Sequence, residues 1–221
     1  MSALIEHSQE WLEKSLIQGT PEWLELRRKK IGSSDTPKIM GFSSPSQRIL
    51  WEQKVGVREE TKSNPFMERG KILEEPARQE FIEKKSVEVK PHVILHPTLP
   101  WMIASLDGIN MEKKVIVEIK NTINLKQHEE VKAGKIPKSH FAQVQHQIAC
   151  SGYDGSYYMS CLNEYDKTLQ CFRIVETQII EVPLDIFFIE EMIEMDYAFW
   201  KCVENFTPPT KISNRKSHDP G

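Results

Sequence analysis

Apolar positions along much of the chain recur with the spacing of amphipathic helices. The clearest case is residues 184–205, where isoleucines and aromatic residues fall on one side. Residues 64–85 are also helical in composition, although Pro76 is expected to kink that helix or to start a second one directly after Glu74. Further helices are predicted at residues 20–30 with Thr20 as N-cap, at 47–54, and at 138–151 closed by Gly152, and residues 32–35 open a further helical turn.

Between the helices the composition changes to β-branched and aromatic residues separated by turn residues. Three strands are predicted at residues 86–95, 101–106 and 115–120, and a hairpin at 155–161 and 169–176, with its turn at 163–168. Residues 57–64 are predicted to form a loop or lid, and residues 207–221 an unstructured polar tail. The order of elements predicts an α/β (α+β) fold, with one domain over residues 1–206 and a central mixed β-sheet flanked by helices.

Composition narrows the class of protein. With 221 residues, of which 39% are hydrophobic and 28% charged, the chain suits a globular domain with a real core. No apolar run approaches the roughly 20 residues of a membrane span, and residues 1–10 lack the apolar stretch of a signal peptide. The four cysteines form no Cys-x-x-Cys pair, which argues against a zinc or iron–sulfur site and favours reduced, partly buried thiols. We therefore expect a cytoplasmic protein, in a bacterium or in a host cell.

The charge of the chain does not by itself indicate nucleic acid. A net charge of −3 counts mildly against a protein that holds DNA through many phosphate contacts. A metal-dependent nuclease must, however, concentrate carboxylates. The basic residues also come in local groups, each of which could instead be a solvated surface, at residues 27–30, 113–114, 132–138 and 215–216.

The residues with the clearest chemistry are Asp107, Glu118 and Lys120. Side chains alternate along a strand, so Glu118 and Lys120 point the same way. Asp107 is expected at the end of the preceding strand, where the turn through residues 110–114 can bring it beside Glu118. Carboxylate oxygens are the ligands that Mg²⁺ prefers, and the metal can polarise a phosphodiester and activate water. Lys120 can position that water, help to deprotonate it, or neutralise charge that develops on the phosphate.

The bland alternative is an exposed cross-strand ion pair. An acidic residue two positions before a lysine is common, and taken alone it favours this alternative. The pair lies on an apolar strand, however, where charge is costly without a reason.

Five short blocks in a fixed order strengthen the hypothesis of a nuclease. They are WLELR at residues 23–27 followed by GSS at 32–34, RGKILE at 69–74, ASLDG at 104–108, EIK at 118–120 and AQVQ at 142–145. In this order they resemble the lambda exonuclease group, also called the YqaJ viral recombinase family, of the PD-(D/E)xK nuclease superfamily. Asn121-Thr122 stand where the family often has Cys-Pro, and Leu106 stands where the superfamily name has proline; neither position supplies a ligand.

The resemblance implies a restriction-endonuclease-like core and a role for each matching residue. Asp107, Glu118 and the backbone carbonyl of Ile119 would hold two Mg²⁺ ions, for which Mn²⁺ would substitute. Glu74 would complete the catalytic acidic cluster, and Lys120 would act on the attacking water. The residues implied to bind the terminal 5′-phosphate of DNA are Arg27, Ser34, Ser105 and Gln143.

Each phosphate-binding assignment has a plainer alternative. Arg27 belongs to a basic run, in which Arg28 is a rival for the role. Ser34 could cap the helix that follows. Gln143, with Gln147 on the same helix face, could be a surface amide, and Ser105 could simply be a small residue at the end of a strand.

The function implied by the resemblance is a 5′-to-3′ exonuclease that resects one strand of linear double-stranded DNA for recombination. It also implies a homotrimer that threads DNA and works beside a single-strand annealing protein. Two alternatives stay open: an endonuclease of the same superfamily that acts on branched or modified DNA, and a catalytically silent DNA-binding module. The silent module is disfavoured because it has no reason to keep mutually repelling carboxylates together.

Overall fold

The structure, a computed structural model, describes residues 20–59 and 65–210, apart from the side chains of Phe66 and Met67. The described part contains seven helices: α1 (Pro21–Arg28), α2 (Thr36–Ile39), α3 (Gln47–Lys54), α4 (Pro65–Lys85), α5 (Leu125–Lys132), α6 (Lys138–Ser151) and α7 (Ile186–Glu204). It also contains six strands: β1 (Ile31–Gly32), β2 (Lys90–Leu95), β3 (Met102–Asn110), β4 (Val115–Thr122), β5 (Gly155–Asp166) and β6 (Cys171–Pro183). Parts of three segments discussed above lie outside the described residues: the N-terminal segment, the predicted loop at 57–64 and the predicted tail.

The strands form one mixed sheet in the order β1-β3-β4-β5-β6, with β2 paired to β3. The β1–β3 and β4–β5 pairs are parallel, and the β2–β3, β3–β4 and β5–β6 pairs are antiparallel. Neighbouring positions on β4 face opposite sides of this sheet. Ile116 packs in the larger apolar cluster with residues of α6 and α7, and Val117 packs in a smaller cluster with residues of α4. The predicted α/β fold, a mixed sheet between helices, is confirmed.

Strand β3 shares one of its edges between two partners. Ile103 pairs with Gly32 of β1, and Ile109 pairs with Ile116 of β4, while β2 runs along the opposite edge. Residues 104–107 lie between these two pairings. The sheet therefore forks beside Asp107, and the opening lies between β1 and β4.

Two helices have the bounds that the sequence predicts, and a third has the predicted N-cap. Helices α3 and α6 match residue for residue, and α6 ends at Gly152, whose φ of 66° is a left-handed conformation that suits glycine. Thr20 caps α1, because its side-chain oxygen accepts a hydrogen bond from the Trp23 amide at 3.3 Å. These elements could be predicted because caps and apolar periodicity are local signals.

Several predictions about elements are wrong or incomplete, among them the strand predicted at residues 86–95, of which only Lys90–Leu95 forms a strand. Helix α4 continues through Pro76, so no second helix begins after Glu74. The hairpin is longer than predicted, because Asn163 lies at a register shift within the β5–β6 ladder and not in the turn. Strand β3 extends to Asn110, which places Asp107 inside the strand and not at its end. The short strand β1 and the polar helix α5, in which His128 and Val131 are the buried residues, were not predicted.

Two further predictions concern the state of the cysteines and the presence of a membrane-spanning helix. Each cysteine is free; Cys150 and Cys161 are buried and Cys202 is half-buried, as expected, but Cys171 is exposed. None of the helices in the described ranges is long and apolar enough to cross a membrane.

Candidate active site

The core of the site is a buried acidic residue joined to a lysine. Glu118 on β4 is 2% exposed, and its Oε1 lies 2.5 Å from Nζ of Lys120. Gln143 joins the same two groups from α6, since its Nε2 donates to Glu118 Oε1 at 2.8 Å and its Oε1 accepts from Lys120 Nζ at 3.0 Å. One turn further along α6, Gln147 donates to the other carboxylate oxygen of Glu118. The pair is therefore not an exposed cross-strand ion pair, and Gln147 is not a surface amide.

A hydrogen bond joins the side chain of Asp107 to β4, next to the last residue pair of the β3–β4 ladder, Gly108 with Val117. Asp107 Oδ2 accepts this hydrogen bond from the Ile119 amide at 2.8 Å. Gly108 makes this approach possible, because a Cβ at that position would lie 2.7 Å from a side-chain carbon of Val117 and 2.8 Å from one of Val89. The Asp-Gly sequence thus has a local reason: the glycine lets the strands close and the carboxylate reaches across.

Arg78, which was not singled out from the sequence, connects Glu74 to the backbone of Asp107. Arg78, buried and one turn along α4, donates through Nη2 to Glu74 Oε1 at 2.6 Å. Its Nε donates to the backbone carbonyl of Asp107 at 2.6 Å, and its Nη1 bonds Glu75. The signal in the sequence was the four-residue spacing of Glu74 and Arg78, which is typical of an ordinary surface ion pair.

The three carboxylates influence one another. Burial, followed by the charge of Glu118 and with a further contribution from Glu74, raises the pKa of Asp107 well above its ordinary value. Burial and the charge of Glu118 also raise the pKa of Glu74, against the opposing effect of Arg78. Burial alone would lower the pKa of Lys120, but Glu118 and Asp107 outweigh it and the net shift is upward. Lys120 is therefore a protonated ammonium group among crowded acids.

The donor set suits a hard divalent cation, although it is not preassembled. Among the described residues, no three His, Cys, Asp or Glu side chains converge closely enough to form a complete metal site. The physical reason is visible in the contacts, since Glu118 is held by Lys120 and two glutamines and Glu74 is held by Arg78. The charge of Glu118 raises the pKa of both Asp107 and Glu74, and a cation bound beside these acids would relieve that repulsion. Asp107, Glu118 and the Ile119 carbonyl thus offer the oxygen donors that suit a hard divalent cation.

The residues predicted to bind phosphate fall into two neighbouring sets. Arg27 donates through Nη2 to Ser34 Oγ at 2.8 Å, and its guanidinium carbon lies 5.1 Å from the centre of the Trp23 ring. Trp23 in turn donates through Nε1 to Ser105 Oγ at 3.1 Å. Gln143 lies apart from these three, on the Glu118–Lys120 pair. The structure therefore links Arg27, Ser34 and Ser105, and places Gln143 with the acidic cluster.

Arg27 and its neighbour Arg28 point in different directions. Arg28 lies on the exposed side of α1, where its Nη2 is 2.9 Å from Glu25 Oε2. Ser34 bonds Arg27, and α2, which begins two residues later, has Asp35 at its N-cap position. The geometry favours Arg27 over Arg28 as the residue that can face a ligand beside Ser34.

Comparison with known proteins gives the family. The model of the YqaJ-like viral recombinase domain matches residues 22–154. The chain belongs to this family. The uncharacterized protein YqaJ of Bacillus subtilis (strain 168) is 30% identical over an alignment of 201 positions, and the match covers 86% of this chain and 58% of that protein. This chain therefore spans less than two thirds of the length of that YqaJ relative.

Solved structures share the fold. An alkaline exonuclease from Laribacter hongkongensis, LHK-Exo, superposes with a TM-score of 0.69 at 24% identity, covering 85% of this chain and 94% of the other. The same enzyme in complex with dAMP gives a TM-score of 0.67 at 26% identity, over the same shares of the two chains. A phage related exonuclease from Haemophilus somnus 129PT gives 0.61 at 15% identity, covering 83% of this chain and 97% of the other. The YqaJ-like domain thus has the alkaline exonuclease fold.

Proposed function

We propose that this YqaJ-like protein is a divalent-metal-dependent exonuclease that degrades one strand of linear double-stranded DNA from its 5′ end. The observation that carries the proposal is the pair of buried Glu118 and Lys120, joined by Gln143, with Asp107 held across the sheet fork and Glu74 held by Arg78. Buried charges are costly unless they are used or fully paired. Here three acids repel one another, which favours a role in binding a cation and a phosphodiester.

The acidic residues and Lys120 would have separate roles in phosphodiester hydrolysis. Water attacks the phosphorus, the bond to the 3′ oxygen of the departing nucleotide breaks, and that oxygen takes up a proton. A divalent cation at Asp107, Glu118 and the Ile119 carbonyl, with Glu74 nearby, would supply positive charge and an activated water; Mg²⁺ is the proposed metal, in two copies, with Mn²⁺ as a substitute. Lys120 would orient the water and neutralise charge on the phosphate.

The terminal phosphate would be bound next to this centre. Arg27, Ser34 and Ser105 supply a guanidinium and two hydroxyl groups, and Gln143 connects to the catalytic pair. Such donors suit a phosphate dianion. Each cut leaves a new 5′-phosphate on the remaining strand, so the same pocket would guide successive cuts. LHK-Exo, a fold neighbour, has been solved with dAMP, a mononucleotide of the kind such a reaction releases.

We also propose the assembly and setting that the family resemblance implies. The protein would be a cytoplasmic homotrimer around DNA, working with a single-strand annealing protein in recombination. Lys132, Lys135 and Lys138 are exposed and could line a channel, although Lys132 also pairs with Glu129 and Glu176. Light scattering at micromolar concentration tests the trimer, and a monomer would contradict it.

Digestion of linear and covalently closed circular DNA, with Mg²⁺ or with a chelator, tests the activity. The proposal expects degradation of the linear DNA in Mg²⁺ alone and no cutting of the circle. Equal cutting of both forms would replace it with the endonuclease alternative. An absence of cutting in both, with DNA still bound, would indicate the silent module.

A further inference from the structure

A buried ion pair adjoins Arg27 and Ser34. Lys54, the last residue of α3, has a side chain that is 6% exposed, and its Nζ lies 2.6 Å from Asp35 Oδ2. The same ammonium group donates to the backbone carbonyls of Arg27 at 2.8 Å and of Lys30 at 2.6 Å. An ammonium group has three protons, so these three acceptors saturate it. Lys54 therefore fixes the end of α1, which carries Arg27.

Asp35 fixes the turn that carries Ser34. Its Oδ2 also accepts from the Gly32 amide at 3.0 Å, which closes the turn over residues 32–35. Its other oxygen, Oδ1, lies 3.4 Å from Lys38 Nζ and 3.9 Å from Arg27 Nη2. One carboxylate oxygen thus holds the scaffold, and the other faces two cationic side chains.

The charges around Asp35 do not balance. Burial alone would raise the pKa of Asp35, but Lys54, Arg27 and Lys38 together hold it well below its usual range. Asp35 is therefore ionised, and three cationic groups face one carboxylate. Of these cationic groups, Arg27 also donates to Ser34 Oγ at 2.8 Å, so a guanidinium and a hydroxyl group lie together where the phosphate pocket is proposed.

We propose that Asp35 and Lys54 are positioning residues that hold Arg27 and Ser34 in place for a terminal 5′-phosphate. This proposal rests on the phosphate pocket of the proposed function. Lys54 holds the backbone of Arg27, and Asp35 holds the turn of Ser34 and draws the guanidinium toward it. A preset pocket binds its anion without the cost of ordering these side chains. Neither residue has to touch the DNA. Their effect is on recognition of the end, not on the chemical step.

A purely structural ion pair makes a different prediction from a positioning pair. If the pair only stabilises the fold, its loss lowers activity on every DNA end alike. If it positions Arg27 and Ser34, its loss weakens binding of phosphorylated ends and leaves hydroxyl ends unchanged. The ratio of the two activities is therefore the informative quantity.

The test compares Lys54→Met with wild type on duplexes that carry a 5′-phosphate or a 5′-hydroxyl. Misplacement of binding groups by about an ångström can cost up to about a hundredfold, and we expect KM for phosphorylated ends to rise roughly ten- to a hundredfold. We expect kcat and the activity on hydroxyl ends to change little. Lys29→Met is the matched control, because Lys29 follows α1 directly but is exposed and pairs with Glu25 on the surface. An unchanged ratio in folded Lys54→Met, or an equal loss on both ends, overturns the proposal.

A second variant guards against misfolding. The double change Asp35→Asn with Lys54→Met removes both charges, so no unpaired charge is left buried; we expect it to fold better than Lys54→Met while still lacking the end preference. If neither variant folds, hydrogen exchange of the wild-type protein without DNA decides. A preset turn keeps the Gly32 amide protected before DNA binds, whereas rapid exchange there overturns the proposal.

The end preference of the wild-type protein shows whether a failure concerns the phosphate pocket or only the positioning pair. A wild type without any preference for phosphorylated ends contradicts the proposed phosphate pocket and, with it, the positioning pair. A wild type with the preference and a folded Lys54→Met that keeps it contradicts the positioning pair alone.

Discussion

The ammonium group of Lys120 lies 2.5 Å from the buried carboxylate of Glu118, and the side-chain amide of Gln143 bonds both groups. The acids around Lys120 raise its pKa. A charged lysine beside the attacking water can donate a hydrogen bond to it. It can orient that water and stabilise the negative charge that develops on a phosphate.

Lys120→Ala should therefore abolish cleavage while the protein still folds and binds DNA. The expected loss is on the order of a hundredfold or more in turnover, because a charge that acts in the transition state is removed. Single-turnover cleavage and a DNA-binding titration of the same variant separate the two effects. Near-normal turnover would remove Lys120 from the mechanism.

Asp107→Asn and Glu118→Gln should each weaken metal binding, since an amide is a poorer ligand for Mg²⁺ than a carboxylate. The amide oxygen of an asparagine at 107 could still accept the hydrogen bond from Ile119, so the fold should persist. Calorimetric titration with Mg²⁺ or Mn²⁺ measures the effect. Glu112→Gln is a suitable control, because Glu112 is exposed in the turn between the same two strands. Unchanged metal affinity in both site variants would mean that the metal lies elsewhere.

Arg27→Ala should slow the digestion of phosphorylated ends strongly and of hydroxyl ends little. The guanidinium bonds Ser34 and is the charged group best placed to recognise the additional charge of a terminal phosphate. Arg28→Ala is the internal control, because Arg28 pairs with Glu25 on the exposed side of α1. Loss of the preference in Arg28→Ala but not in Arg27→Ala would show that the assignment is off by one residue.

The pH dependence of stability should reveal a buried network on α2, α6 and α7. His146 Nε2 lies 3.1 Å from the carbonyl oxygen of Ile103, so this nitrogen must donate. Thr36 donates its proton to Asp196 at 2.6 Å, so His146 Nδ1, 2.7 Å from the Thr36 hydroxyl, must donate as well. Burial alone would lower the pKa of His146, but Cys150 and Asp196 raise it from 6.5 to about 10. The imidazole is therefore charged in the folded protein.

Because the pKa of His146 is raised by folding, its contribution to stability is complete below about pH 6.5 and is lost as the pH rises toward about 10. Each unit of the raised pKa corresponds to about 1.4 kcal/mol, so the free energy of unfolding should fall across this range. Urea unfolding of wild type and His146→Asn at the two limits measures the fall. If the variant loses stability as steeply as wild type, the network does not contain a charged histidine.

Local signals in the sequence predicted the parts of the site that lie on one element. Strand alternation placed Glu118 and Lys120 on one face, and the four-residue spacing of Gln143 and Gln147 placed both on one face of α6. Asp107 was expected at the end of its strand, but β3 continues to Asn110. Nothing in the local sequence shows that the pairing of β3 with β4 stops at Gly108. The contact of Asp107 with the Ile119 amide depends on that fork.

Contacts between distant segments could not be predicted in the same way. Arg78 bonds the backbone of Asp107, 29 residues away, and Thr36 bonds Asp196, 160 residues away. A buried lysine such as Lys54 has the same local pattern as an exposed one. Burial is decided by how the helices pack on the sheet, which a single sequence does not show.

The direction of digestion tests the proposed function most directly. A linear duplex is labelled at the 5′-terminal phosphate of one strand or at the 3′ end of the same strand, and the release of labelled mononucleotide is followed in Mg²⁺. We expect the 5′ label to appear first as mononucleotide, the 3′ label to stay in long DNA until late, and Lys120→Ala to release neither. Earlier release of the 3′ label, or the appearance of the 5′ label in oligonucleotides instead of mononucleotides, would contradict a 5′-to-3′ exonuclease at this site.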